Sequence, residues 1–257
     1  MNINLDQNQN QNLSIVVPVY NECSTIETVV HKLSQLPNLL EIIAINDGST
    51  DGTREILDRL ATEYYALEVI HQPRNRGKTA ALKAGFAATQ GEIVIVQDAD
   101  LEYDPAEIPA VIDPILRNEA DVVYGSRFLV RRASRVLYFS HYLANKFLTF
   151  LSDLLTNVNI TDVETCYKAF RGDIIRSMVI VSQGFGFEIE VTAKVAKLSC
   201  RIFEVPISYY GRTYEEGKKI GLKDGLEAVF YIFWFNLMWS TRRSFKPIPQ
   251  RYVKRRQ

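Results

Sequence analysis

From Leu13 onward the chain alternates short β-rich runs with longer amphipathic stretches, and this alternation restricts the possible folds more than any other feature. Leu13 to Pro18 reads as a strand, and Ser24 to Leu36 as a helix with Ile26, Val29, Val30 and Leu33 on its apolar face. A strand over Leu40 to Ile45 precedes a helix over Thr53 to Tyr65, with Ile56, Leu57 and Leu60 facing inward. Leu67 to His71 and Gly77 to Thr89 repeat the unit. Glu92 to Gln97 is apolar almost without alternation, the pattern of a strand buried on both faces. Pro105 to Leu116 reads as a helix and Asp121 to Tyr124 as a fifth strand. Strands separated by helices of this length need right-handed crossovers, so the fold class is α/β with a mainly parallel sheet flanked by helices. Ligands of such sheets bind beyond the carboxyl ends of the strands, where the strand order reverses.

The residues at those ends are polar or glycine-rich. Pro18-Val-Tyr-Asn-Glu22 follows the first strand and Asn46-Asp-Gly-Ser-Thr-Asp-Gly-Thr53 the second, where Thr53 is placed to cap the next helix. Asn75-Arg-Gly-Lys78 follows the third, offering backbone N–H groups and a cation to an anion. Asp98-Ala-Asp-Leu-Glu102 follows the fourth. In extended chain alternate side chains share a face, so Asp98, Asp100 and Glu102 are expected to turn towards one divalent cation, Mg²⁺ or Mn²⁺.

Several chemistries are excluded. The chain lacks a Gly-x-Gly-x-x-Gly after the first strand, a Walker A loop and a Gly-x-Ser-x-Gly elbow. Three histidines without ligand spacing make a His-based zinc site improbable, and three cysteines without a Cys-x-x-Cys fit a reducing compartment. The Asn/Gln-rich stretch from Met1 to Asn12 is no signal peptide and reads as a disordered lead.

Net charge is zero over 257 residues, but the last sixteen carry seven basic residues (Arg242, Arg243, Lys246, Arg251, Lys254, Arg255 and Arg256) and no acidic one. Just before them, Ala228 to Trp239 is nearly continuous apolar and aromatic sequence. As a helix it spans roughly 18 Å, short of the ~30 Å hydrocarbon core, so it is a buried or an interfacial helix and not a span. Beside a basic tail it points to an anionic membrane surface and not to nucleic acid. Leu137 to Leu155 is a second long stretch with few charges, either interfacial or core.

With these motifs in hand, the chain resembles the family 2 inverting glycosyltransferases of the GT-A, Rossmann-like fold. The likeness rests on Val17-Pro-Val-Tyr-Asn-Glu22, Asn46 to Thr53, Asn75-Arg-Gly-Lys78 and Asp98-Ala-Asp100. Tyr124-Gly-Ser-Arg-Phe128, Thr165-Cys-Tyr-Lys-Ala-Phe170 and Tyr210 to Lys219 are similar to the branch of dolichol-phosphate mannosyltransferases and polyprenyl-phosphate glycosyltransferases. The resemblance implies a domain over 13–225, followed by the apolar helix at 226–241 and the basic tail at 242–257. It implies a UDP- or GDP-sugar donor, a polyprenyl (undecaprenyl or dolichyl) phosphate acceptor, and residence at the cytoplasmic face of a membrane. Pro18, Tyr20, Glu22 and Asp47 would line the nucleobase pocket, and Lys78 would lie near the diphosphate. Asp98, Asp100 and Glu102 would hold the metal, while Arg127, Arg135, Arg212, Lys218 and Lys219 would gather around the acceptor phosphate and donor. Asn46 departs from the first Asp of many relatives.

A polyprenyl phosphate is already anionic and needs no general base, whereas a sugar hydroxyl needs a carboxylate to take its proton. Glu188 or Glu190 is positioned in sequence for that task, unless both are surface acids opening a helix. The alternatives are transfer to a soluble glycan or protein hydroxyl, and a non-catalytic nucleotide-sugar-binding protein.

Overall fold

The computed structural model describes residues 12–129, 135, 138–213, 215 and 221–253. The expected alternation is present as β1 (Leu13–Val19), α1 (Ile26–Ser34), β2 (Leu39–Asn46), α2 (Thr53–Glu63), β3 (Leu67–His71), α3 (Lys78–Ala88) and β4 (Ile93–Val96). A 3₁₀ turn at Pro105–Glu107 leads into α4 (Ile108–Leu116), then β5 (Val122–Ser126). The apolar stretch from Leu137 to Leu155 carries α5 (Phe139–Thr156), and β6 (Lys168–Arg171), α6 (Gly172–Ser177), α7 (Phe187–Val195) and β7 (Ile202–Pro206) follow. The chain closes with α8 (Leu222–Met238) and α9 (Thr241–Ser244).

Among the described residues the strands form one sheet in the order β3-β2-β1-β4-β6-β5-β7. The pairs β1–β2, β1–β4, β2–β3 and β5–β7 are parallel, and β6 runs antiparallel to both β4 and β5. Strand order therefore reverses between β1 and β4, whose carboxyl ends flank one crevice. Leu13, Ile15, Val16 and Val17 of β1 and Ile93 to Val96 of β4 are buried between helical layers. Burial of each such side chain contributes roughly 1.5–3 kcal/mol, which is why continuous aliphatic runs settle at the centre of a two-sided sheet.

The two apolar stretches have a dual character. Helix α8 begins at Leu222 and packs against α7 and α5 through Ala228, Ile232 and Phe235, so it is part of the same body as the sheet. Its other side exposes Leu226, Phe230, Phe233, Trp234, Leu237 and Met238. Helix α5 buries Leu148, Thr149 and Ser152 and exposes Phe139, Leu143, Phe147, Phe150 and Leu154, one stripe at helical spacing. Among the described residues no helix is long and apolar enough to cross a membrane.

The basic tail is more ordered than a solvated end. Phe245 bridges Met178 and is buried, as is Tyr252, whose carbonyl accepts from the Ser199 amide. Arg242, Arg243, Lys246 and Arg251 remain exposed, with Arg251 2.8 Å from Asp173. Lys254, Arg255 and Arg256 lie outside the described residues.

Candidate active site

The loops after β1 and β2 are stitched together by side-chain acceptors. The amides of Asn21, Glu22 and Cys23 donate to Ser49 Oγ, Thr53 Oγ1 and Asp51 Oδ2 at 3.0, 3.0 and 3.2 Å, and the Thr50 amide donates to Asn21 Oδ1 at 2.9 Å. Thr53 is thus not the helix cap expected from sequence. Gly52, at φ +92°, holds that place, and the Thr53 hydroxyl bonds Asp51. Burial works to raise the Asp51 carboxyl, but the Cys23 amide and the Thr53 amide and hydroxyl donate to it and hold it at about 2.

Asp47 clamps the third loop onto the second. Its two oxygens accept from the amides of Arg76 (2.9 Å) and Gly77 (2.8 Å). Burial still pushes its carboxyl above the ordinary value, with the two amides pulling back. The clamp requires Gly48, at φ +71°, because a Cβ there would lie 2.6 Å from the Arg74 carbonyl carbon. Asn46, buried at the same strand end, pairs with His71 Nδ1 at 3.0 Å and accepts from the Ser49 amide.

Lys78 opens α3 and reaches across the crevice. Its Nζ lies 3.0 Å from Asp98 Oδ1 and 3.1 Å from Glu188 Oε1. Burial disfavours its charge, yet Asp98 and Glu188 keep it protonated well above the usual lysine range. The Glu188 end is fixed by the backbone, since the Thr79 amide and hydroxyl both donate to the Gly184 carbonyl, at 3.1 and 3.0 Å. Glu188 and Glu190 are therefore buried, not surface acids. They differ in their partners. Glu190 accepts from the amides of Val181 and Ser182 and pairs with Lys194, whereas Glu188 Oε2 is buried without a hydrogen-bond partner.

Asp98 and Asp100 follow β4 as expected, but Glu102 does not join them. The chain turns at Ala99 and Asp100 and Leu101 adopts φ +62°, so the extended repeat is lost and Glu102 turns towards the segment after β7. There Glu102 accepts from the Arg212 amide (2.6 Å) and the Tyr209 hydroxyl (2.9 Å). No three His, Cys, Asp or Glu residues form a ready ligand set among the described residues. Asp100 is pushed up to about 7, first by burial and then by the charges of Asp98 and Glu102.

Of the expected cations, Arg127, Arg135 and Arg212 fall within the described residues, and each is already engaged. Arg212 forks onto Glu22 at 3.3 and 3.0 Å and donates to the Asp100 carbonyl at 2.7 Å. Arg127 forks onto Asp162 with two 2.7 Å bonds and stacks over Tyr209, 5.0 Å from the ring centroid. Arg135 donates its amide to the Tyr209 carbonyl (2.9 Å) and its guanidinium to the Gly211 carbonyl (3.4 Å). Lys218 and Lys219 lie outside the described residues. Pro18 and Tyr20 are half-buried at the end of β1. Sequence reading missed Asp162, Glu164 and Lys168. Glu164 Oε1 and Thr165 Oγ1 are buried without partners, and Glu164 is raised to about 7, by burial and then by Glu188. The acid-x-acid pair just before Thr165 was the available signal.

Residues 14–178 match the model of glycosyl transferase family 2. The chain belongs to that family. It is a glycosyltransferase with the GT-A fold. It is 29% identical over 216 residues to an undecaprenyl-phosphate mannosyltransferase of Micrococcus luteus, covering 80% of this chain and 86% of that protein. It is 28% identical to a polyprenol monophosphomannose synthase of Mycolicibacterium smegmatis, covering 86% of each. Among solved structures, glucosyl-3-phosphoglycerate synthase of Mycobacterium tuberculosis, in complex with Mn²⁺, UDP and phosphoglyceric acid, superposes with a TM-score of 0.68. The overlap covers 90% of this chain and 80% of that one at 21% identity, a likeness of fold.

In this family 2 glycosyltransferase the donor set suits a divalent cation that brings other ligands with it. Two carboxylates, Asp98 and Asp100, stand half-buried in one turn, where burial and then the charges of Asp98 and Glu102 raise Asp100. Mg²⁺ and Mn²⁺ accept one or two carboxylates and fill their remaining positions with phosphate oxygens and water. Glu102 instead anchors the turn to Tyr209 and Arg212.

Proposed function

We propose that this glycosyltransferase moves a sugar, with inversion, from a UDP- or GDP-sugar to the phosphate of a polyprenyl lipid at a membrane surface. The observation that carries the reading is a run of contacts from the acidic turn to the exposed apolar face. Glu102 bonds Tyr209, Arg127 stacks on Tyr209, and the next residue, Phe128, meets Tyr142 of α5 edge-on with centroids 5.5 Å apart. The acidic turn is thus linked to the end of α5 that carries exposed Phe139 and Leu143. An isoprenoid chain lying along that stripe would have its phosphate near Arg135 and Arg212. The names of the Micrococcus and Mycolicibacterium relatives agree with such an acceptor.

In this reading Asp98 and Asp100 would hold Mg²⁺ or Mn²⁺, which would supply positive charge to the departing diphosphate. Lys78 supplies a second positive charge from the opposite wall. Pro18 and Tyr20 bound the nucleobase pocket, while Glu22 and Asp47 shape it by holding Arg212 and the 76–77 amides. The acceptor phosphate attacks as an anion, so no side chain needs to remove a proton. Exposed Arg242, Arg243 and Lys246 after α8 add attraction for anionic lipid on the cytoplasmic face.

A second reading has a hydroxyl acceptor, and the unpartnered Glu188 Oε2 favours it as the place for a base. The test is transfer from a panel of UDP- and GDP-sugars to undecaprenyl phosphate in detergent, beside soluble glycans. Divalent-dependent formation of a lipid-linked sugar of inverted anomeric configuration is expected. Transfer only to hydroxyl acceptors would overturn the lipid reading.

A further inference from the structure

We propose that Lys78 is an internal counter-cation for Asp98, which makes divalent-metal binding conditional on the nucleoside diphosphate. The inference rests on the reading that Asp98 and Asp100 hold the metal. The Lys78 ammonium spans both oxygens of Asp98, at 3.0 Å from Oδ1 and 3.2 Å from Oδ2. It occupies the side of the carboxylate from which another cation would be held. Its position is fixed at three points: α3 begins at Lys78, Asp47 clamps the preceding Gly77, and the Gly184 carbonyl takes the Thr79 amide and hydroxyl. Glu188 is the second seat of the same ammonium, at 3.1 Å.

A metal ion arriving alone must displace a buried ammonium from Asp98 and leave that charge with Glu188 only. A metal arriving with a diphosphate meets a different balance, because the phosphate oxygens give Lys78 a new anionic partner as it leaves Asp98. Metal and diphosphate therefore bind with positive coupling, and Lys78 is the element whose partners they exchange. By linkage the metal tightens the diphosphate by the same factor as the diphosphate tightens the metal. Here Lys78 is a positioning residue, and the exchange requires no covalent step.

The experiment measures Mn²⁺ affinity from the EPR signal of free Mn²⁺, with and without UDP or GDP, for the wild-type chain and K78M. The wild type is expected to bind Mn²⁺ weakly alone and about tenfold or more tighter with the diphosphate. K78M is expected to bind Mn²⁺ alone about fivefold tighter than wild type and to lose most of the coupling. A folded K78M with unchanged or weaker affinity for Mn²⁺ alone would overturn the proposal. Should K78M fail to fold, E188Q serves, because it leaves Lys78 committed to Asp98. E188Q is expected to weaken binding of Mn²⁺ alone about twofold or more and to keep the coupling, and tighter or unchanged binding refutes the exchange. A wild type that binds no Mn²⁺ even with UDP or GDP would remove the metal reading itself, and this inference with it.

Discussion

The two halves of the sheet hold their polar groups by different means. On the β3-β2-β1-β4 side, the carboxylates that shape the loop after β2 are satisfied by backbone amides, Asp47 by Arg76 and Gly77 and Asp51 by Cys23 and Thr53, while Glu22 and Asp98 at the crevice pair with cations. On the β6-β5-β7 side a cation is added to the amide donors: Asp162 pairs with Arg127, and Glu190 with Lys194. Amide-held carboxylates fix the shape of loops and leave their surroundings able to accept an anion. Buried ion pairs hold a wall rigid but are intolerant of losing one member. Apart from Tyr65, the first half turns its large apolar residues inward, whereas the second carries the exposed aromatic stripes of α5 and α8. The contrast fits a soluble donor on one side and a lipid on the other.

The largest effect is expected where the halves meet. Asp100→Asn keeps the size of the side chain but removes its charge from the turn. Transfer is expected to fall by about 10³-fold with unchanged circular dichroism, since charge stabilisation of this kind contributes on the order of 10²–10³ per group. A folded mutant with near-normal turnover would detach Asp100 from the chemistry.

The next effect separates the two modes of satisfaction. Asp162→Ala leaves the Arg127 guanidinium buried without its fork and is expected to cost about 3–5 kcal/mol in urea unfolding. Asp51→Ala, on the amide-held side, removes a partly exposed acceptor and is expected to cost about 1 kcal/mol. Equal losses would erase the distinction.

The first half was far more legible in the sequence than the second, for a physical reason. In β1, β2 and β4 a two-sided burial writes itself as consecutive Val and Ile, and each functional loop follows within a few residues. Period-two alternation does not announce the bonds of Glu102 to Tyr209 and Arg212, because it holds only while the chain stays extended, and the turn at Ala99 and Asp100 followed by Leu101 at φ +62° ends that. Partners such as Arg127–Asp162 and Lys78–Glu188 lie far apart in sequence, so no local pattern announces them. The docked tail escaped notice likewise, since Phe245 and Tyr252 are single aromatics whose burial depends on contacts with Met178 and Ser199. The stripe of α5 was visible, but periodicity alone does not say which side meets the core.

The exposed stripes allow the third test. Phe147→Asp with Phe150→Asp alters residues 55% and 63% exposed, so thermal stability is expected to hold. Binding to vesicles of anionic phospholipid is expected to fall about tenfold or more, given roughly 1.5–3 kcal/mol for each large apolar side chain. Arg242→Glu with Arg243→Glu is expected to weaken it less and chiefly at low salt. Unchanged binding in the aromatic pair would assign that face to something other than lipid.

The smallest expected effect is a slope with pH. Glu164 faces Glu188 of α7 and, on its other sides, Lys168, Arg127 and Asp162, and its carboxyl stands at about 7 against 4.5 for the free group. The folded chain then keeps a proton that the unfolded chain releases near 4.5. Between those values the folded state binds more protons, so this group's contribution to stability is greatest below about 4.5 and declines as pH rises to about 7. Asp51, held below its ordinary value, acts in the opposite sense: its contribution is present above about 4 and is lost as pH falls towards 2. Glu164→Gln is therefore expected to flatten the decline in melting temperature between pH 5 and pH 7.5 while leaving the loss below pH 4 untouched. An unaltered slope would mean that Glu164 carries its charge in the folded chain, with Lys168 and Arg127 outweighing both burial and Glu188.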